Sequence, residues 1–193
     1  MAKAGWVNFA KAAAVLLPAS LLRCWRGFYL PAARDDADLE LPRQAFRICD
    51  DFDFAHPKTD YDRACAALRP GRTVARVRVG RGAGLVFAAV NGPLTWWHGR
   101  RMLVNGRELP AAGRLKEVRW SDEVEWAARG TELVLMNACD HGRNPDPLPR
   151  LRVRLAAGAY LVQSGRYGWA NADPILDLFR FVPSPGRRAR RRT

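Results

Sequence analysis

One stretch constrains the fold more than any other. Thr73-Val74-Ala75-Arg76-Val77-Arg78-Val79 leads into a glycine-punctuated break, Gly80-Arg81-Gly82-Ala83-Gly84, and then Leu85-Val86-Phe87-Ala88-Ala89-Val90. Val77 and Val79 fall on one side of a period of two and Arg76 and Arg78 on the other, the pattern of a half-buried strand. The glycines turn the chain and the apolar run returns it. The stretch therefore predicts an antiparallel hairpin.

Strand signals recur along the chain. Leu94 to His98, Met102 to Val104 and Leu133 to Met136 read as strands, with Asn91-Gly92-Pro93 and Asn105-Gly106 as turns between them. Leu151 to Leu155 alternates, and Ala159 to Gln163 follows a glycine turn. Ile175 to Val182 is apolar on both faces, which predicts a central strand between packed layers. Upstream, Phe46-Arg47-Ile48-Cys49 alternates as well. Trp6 to Phe9 and Ala13 to Leu17 read as a strand pair or a short strand–turn–strand, and the alanines of the second leave helix open.

Two segments carry helix signals. Pro18-Ala19-Ser20 starts a short helix capped by Ser20, with Leu21, Leu22 and Trp25 on one face and Gly27 as its stop. Ser121-Asp122-Glu123-Val124 looks like a second helix start ahead of Gly130, in a stretch ambiguous between helix and strand. The fold class is then α+β and β-rich: mostly antiparallel sheets with one or two short helices. A single compact domain is predicted over residues 1–185. Residues 31–44 read as a surface loop. Residues 140–149, with three prolines, mark where an N-terminal lobe (1–139) and a C-terminal β lobe (150–185) would divide. Gly186 to Thr193 holds five arginines and no apolar anchor, and predicts a disordered tail.

With 193 residues, 48% of them hydrophobic, and seven tryptophans, the chain can build a core without disulfides. Its four cysteines are scattered without framework spacing, which predicts a cytoplasmic protein. The apolar run Ala12 to Leu22 is too short to span a bilayer and is interrupted by Pro18, so no membrane partner is expected. The net charge is +13, but 28 arginines stand against four lysines in a chain rich in Ala, Gly and Pro. A GC-rich coding sequence produces that skew, which weakens the charge as a nucleic-acid signal. The charge is also uneven: residues 35–62 hold nine of the nineteen acids and only three bases.

The candidate reactive groups read more simply as structure. Cys139-Asp140-His141 has no second ligand pair at zinc spacing. Asp50-Asp51-Phe52-Asp53 lacks the glycine and distal acid of a calcium loop. A strand, not a helix, follows Gly80 to Gly84, so the loop is no phosphate cradle. Cys65 with His56 or His98 as base has the elements of a nucleophile, but its alanine-flanked setting suits a small buried hydrophobe. Trp96-Trp97 and Trp120, beside Arg100, Arg101 and Arg119, suit base stacking or, more simply, core packing. No metal, no cofactor and no enzymatic activity are expected.

Several pieces occur in a telling order: Gly5-Trp6-Val7, a run ending Val15-Leu16-Leu17-Pro18, then Leu21-Leu22-Arg23-Cys24-Trp25-Arg26-Gly27. Thr59-Asp60-Tyr61-Asp62-Arg63-Ala64-Cys65 follows, then Val77 to Val86 and Thr95-Trp96-Trp97. Together they resemble the immunity protein 21 family of bacterial polymorphic toxin systems, over residues 5–105 and most tightly over Asp60 to Cys65. The resemblance implies a protein that neutralises a cognate toxin domain by direct binding. It brings no catalytic residue. Asp50, Asp51, Phe52, Asp53 and Phe54, in the acidic segment, are candidate contacts for a basic partner, with the phenylalanines as apolar anchors. Asp60, Tyr61, Asp62 and Arg63 are a second set, since Tyr and Arg anchor interfaces and paired carboxylates steer association. The alternative for these four is support of the fold. A basic nucleic-acid-binding module is the rival functional class.

Overall fold

The valine–arginine hairpin forms one edge of a five-stranded antiparallel sheet in the computed structural model. The structure describes residues 5–9, 13–31, 46–48, 55–68, 72–88, 92–105, 114–144, 148–168 and 176–184. The hairpin strands are β5 (Val74–Val79) and β6 (Gly82–Phe87), with Val79 opposite Gly82. The turn is therefore only Gly80-Arg81, shorter than the glycine run suggested. Gly82 and Gly84 belong to the strand. A Cβ at Gly84 would overlap the Leu17 side chain, and one at Gly82 would overlap that of Leu21. Those glycines let neighbouring leucines lie close against the sheet, and they do not turn the chain.

Thirteen strands and one α-helix are described. The others before the hairpin are β1 (Gly5–Phe9), β2 (Ala14–Pro18), β3 (Tyr29–Pro31), β4 (Phe46–Ile48) and the helix α1 (Asp60–Ala67). After it come β7 (Gly92–Trp97), β8 (Met102–Asn105), β9 (Trp120–Ala128), β10 (Glu132–Asn137), β11 (Leu151–Arg154), β12 (Gly158–Tyr167) and β13 (Leu176–Pro183). The five-stranded sheet runs β11-β10-β2-β6-β5. A six-stranded sheet runs β1-β7-β8-β13-β12-β9, and β3 pairs with β4 in a separate ribbon. Every pairing is antiparallel. The protein is thus β-rich, built of two antiparallel sheets and short helical segments.

The two sheets face each other across one apolar core. Leu16, Leu85, Phe87, Leu133 and Leu135 from the first meet Trp96, Leu103, Trp126, Phe179 and Phe181 from the second. Phe87 contacts Phe179 edge-on at 4.9 Å between ring centres, and Phe181 packs edge-on against Trp96 at 5.4 Å. Burial of this apolar surface is the main force holding the sheets together. The outer faces are covered too. Val15, Leu17, Val77, Val79 and Met136 pack under Trp25, Ala64 and Tyr61, and Leu178 packs with Met102, Val104 and Val118. The central position read for the last strand holds: β13 lies between β12 and β8, with Phe179 facing one layer and Leu178 the other.

Three readings are corrected. β1 and β2 are strands, but not partners: β1 pairs with β7, and β2 lies between β10 and β6 in the other sheet. Residues 120–128 are strand β9, not a helix ahead of Gly130. Val124, Trp126 and Ala128 alternate into the core opposite β12, and that burial outweighs the helix propensity of the acidic and alanine residues between them. Ala19–Cys24 is a 3-10 turn with no side-chain cap, so Ser20 does not cap it.

Both halves of the chain contribute to both sheets. β10 and β11, on either side of the 138–150 loop, pair directly, and β12 and β13 insert between β8 and β9. Asp50 to Phe54, the greater part of the acidic segment, and the arginine-rich tail lie outside the described residues. Among the described residues, no helix is long and apolar enough to cross a membrane.

Candidate functional site

Helix α1 begins at the best-marked motif of the sequence, and its first turn is held by backbone chemistry. The Thr59 hydroxyl accepts from the Asp62 N–H at 3.0 Å, and Asp62 Oδ2 accepts from the Thr59 N–H at 2.9 Å. This reciprocal cap satisfies donors that a helix start leaves open. Asp62 also accepts from the Lys58 N–H at 3.1 Å and is fully buried. Asp60 Oδ2 accepts from the Arg26 N–H at 2.7 Å, while Oδ1 pairs with the Arg63 guanidinium. The Tyr61 N–H donates to the Gly27 carbonyl at 2.9 Å. The motif thus pins α1 to the segment 25–27.

The Tyr61 ring packs on the outer face of the five-stranded sheet. Its hydroxyl bonds the thiols of Cys65 and Cys139, and burial pushes its pKa up. Burial likewise pushes the Cys139 thiol up to about 11, with the Tyr61 hydrogen bond opposing. The candidate nucleophile Cys65 thus lies beside Tyr61 and the Cys139 thiol.

Opposite α1, the loop after β10 folds around one buried carboxylate. Asp140 Oδ2 pairs with Arg150 Nη2 at 2.9 Å, and Oδ1 accepts from the His141 N–H and the Asn144 amide, both at 2.9 Å. Arg150 also donates to the His141 carbonyl at 2.8 Å. The Gly142 N–H reaches the Trp25 carbonyl at 2.8 Å, and the Trp25 indole N–H reaches the Ala138 carbonyl at 3.0 Å. His141 Nδ1 accepts from the Arg143 N–H at 3.0 Å, which assigns its proton to Nε2 in the neutral ring. Burial lowers the His141 pKa, helped by Arg143 and Arg26 and opposed by Asp140 and Asp60. Cys139-Asp140-His141 is therefore a folded turn anchored by Arg150 and Arg143.

Between these two elements lies a recess of about 540 Å3, lined by Arg23, Cys24, Arg26, Asp60, Arg63, Arg78, Gly80, His141 and Arg143. Its five arginines are exposed, whereas Asp60 and His141 are buried at its base. Asp60 is already engaged by Arg63 and the Arg26 N–H, so the recess presents cationic groups outward. Such a surface suits carboxylates or phosphates, which guanidinium groups hold by charge-assisted, often bidentate hydrogen bonds.

Of the sequence-chosen residues, Asp60, Tyr61, Asp62 and Arg63 come together here, and Arg63 is the most exposed of them. Arg23, Arg26 and Arg143 were not singled out as contacts. Their convergence joins segments 120 residues apart, as in the bond from Arg143 Nε to the Arg23 carbonyl at 3.2 Å, and no local pattern carries that information. The tryptophans considered for base stacking lie elsewhere: Trp96 is in the core, and Trp120 sits 4.1 Å beneath the Arg180 guanidinium. The fold and site define a two-sheet antiparallel protein with a concave cationic face. The chain matches no protein-family description, no curated protein and no solved structure.

Proposed function

We propose that the protein is a cytoplasmic immunity protein of the kind its sequence resembles, neutralising a cognate toxin domain by direct stoichiometric binding. The observation that supports this reading is the recess itself. The motif that carries the resemblance builds one of its walls, and the exposed groups are interface-type side chains, with arginine foremost. Binding rather than turnover is the chemistry such groups offer. The reading predicts a toxin gene beside this one, and co-expression with it and calorimetry of the purified pair test the reading. Protection with one-to-one saturation is expected, and a purified pair that shows no binding overturns it.

Nucleic-acid binding is a second reading, favoured by the same cluster of arginines. A titration of a fluorescent oligonucleotide against salt separates the two. Tight binding at physiological salt with a steep salt slope supports the nucleic-acid reading.

A further inference from the structure

A second cationic concavity lies beyond the recess, on the other side of the β5–β6 turn. It is a cleft of about 450 Å3 between that turn and the end of β9. Arg76, Arg78, Arg81 and Arg129 line it, all exposed, and its lining contains no acidic residue. None of these four guanidinium groups has a hydrogen bond or ion pair among the described residues, whereas Arg63, Arg150 and Arg166 each pair with an aspartate. Four like charges held together repel one another, so the fold alone gains nothing from gathering them. Leu21, Ala83 and Ala127 add apolar surface to the lining, and the buried Trp126 is fixed through its indole N–H on the Ala83 carbonyl at 3.3 Å.

We propose that this cleft is a docking site for an extended acidic segment of a protein partner, with carboxylates at alternate positions. Arg76 and Arg78 lie on one face of β5, roughly 6.5–7 Å apart along the strand. An extended peptide presents alternate side chains at that same spacing, so successive carboxylates meet successive guanidinium groups. Arg81, at the turn, and Arg129, past the end of β9, add two further guanidinium groups to the same cleft. Nucleic acid fits less well. Trp126 is 2% exposed, so its ring is no open platform for a base, and stacking is the sequence-tolerant part of single-strand binding. On the toxin-binding reading, on which this assignment rests, the segment belongs to the toxin domain.

Fluorescence anisotropy on the full chain tests the site with three probes. These are a labelled peptide with glutamates at alternate positions, its glutamine counterpart, and a labelled oligothymidylate. The glutamate peptide should bind and the glutamine peptide should not. Arg76→Gln with Arg129→Gln should weaken glutamate-peptide binding at least about tenfold, ~1.4 kcal/mol, with an unchanged thermal melt. Arg152→Gln with Arg154→Gln, on β11 at the opposite edge of the sheet, should leave binding intact. Equal weakening by both pairs means diffuse charge attraction and overturns the site. Tighter capture of oligothymidylate than of peptide, lost with Arg76 and Arg129, overturns the partner class, and binding of no probe overturns the proposal outright. Calorimetry with the toxin domain that the proposed function predicts keeps the two readings apart. If the wild-type protein binds the toxin and the Arg76/Arg129 variant binds it equally well, the cleft assignment fails while the immunity function stands. If the wild-type protein does not bind the toxin, the immunity function fails, and the peptide result alone decides the cleft.

Discussion

Thr59 and Asp62 cap each other: each side chain accepts the other's backbone N–H, at 3.0 and 2.9 Å. With Asp62 fully buried, this pair belongs to the folding of α1 and not to its exposed surface. Asp62→Ala removes the acceptor for both the Lys58 and Thr59 N–H groups. It should lower stability by roughly 1–2 kcal/mol. Urea melts measure the loss. A folded Asp62→Ala protein should still bind the toxin domain proposed above, since the buried carboxylate has no path to it; a large affinity loss at unchanged stability would contradict this.

Asp140 and Arg150 make a stronger demand on the fold. The Asp140 side chain is 1% exposed, and Arg150 supplies its only ion pair among the described residues. Arg150→Ala strands the carboxylate and should destabilise by roughly 3–5 kcal/mol. Replacing both partners, as Asp140→Asn with Arg150→Met, should recover part of that loss. Thermal melts of the single and double variants form the check, and strict additivity would show that the pair is uncoupled.

His141 gives the stability a pH dependence of definite sign. Its folded pKa lies below the ordinary 6.5, mainly through burial. Between the folded pKa and 6.5 the unfolded chain binds more protons than the folded one, so stability rises with pH across that window. The contribution is complete above about pH 6.5 and is lost as pH falls through the folded value. His141→Gln should flatten the slope between pH 7 and 5 in melts normalised to pH 7.5. A slope unchanged from wild type would assign the effect to other groups.

Much of the fold was legible in the sequence because its signals are local. Alternation marks β5 and β11, apolar residues on both faces mark β13, and turn residues bound β7 and β8. Pairing was less legible, since β1 and β2 are neighbours in sequence and lie in different sheets. β9 stays ambiguous between helix and strand until Trp126 is given a partner across the sandwich. Helix α1 has a local signal too, Thr59 followed three residues later by Asp62, a capping pattern that an interface reading of the same residues does not use. The candidate sites were the least legible part. Arg23, Arg143 and Arg78 meet only because the loop after β10 folds back on residues 22–25, through the Gly142 N–H on the Trp25 carbonyl.

That fold-back predicts a severe effect from one methyl group. A Cβ at Gly142 would overlap the Leu22 carbonyl oxygen, a backbone atom that cannot rotate away. Gly142→Ala should destabilise by ~3 kcal/mol or more, displacing His141 and Arg143 from the recess. Gly99→Ala, where a Cβ meets nothing within 4 Å, is the matched control and should be near neutral.

Thiol reactivity reports on the same region without mutating it. Cys24 is exposed at the recess, whereas Cys139 is half-buried under Tyr61 with its pKa raised to about 11. At pH 8 the Cys139 thiol is protonated and shielded, so a disulfide reagent should label Cys24 first and Cys139 only after the segment opens. Mass mapping of labelled peptides distinguishes the two sites. The raised pKa also sets a sign at the alkaline end. Between the ordinary value of 9.0 and about 11 the folded state holds a proton that the unfolded state has lost, so stability falls as pH rises through that window. Cys139→Ala should remove this part of the alkaline slope. Early labelling of Cys139 in the native protein at pH 8 would place its thiol outside the Tyr61 contact and refute the arrangement.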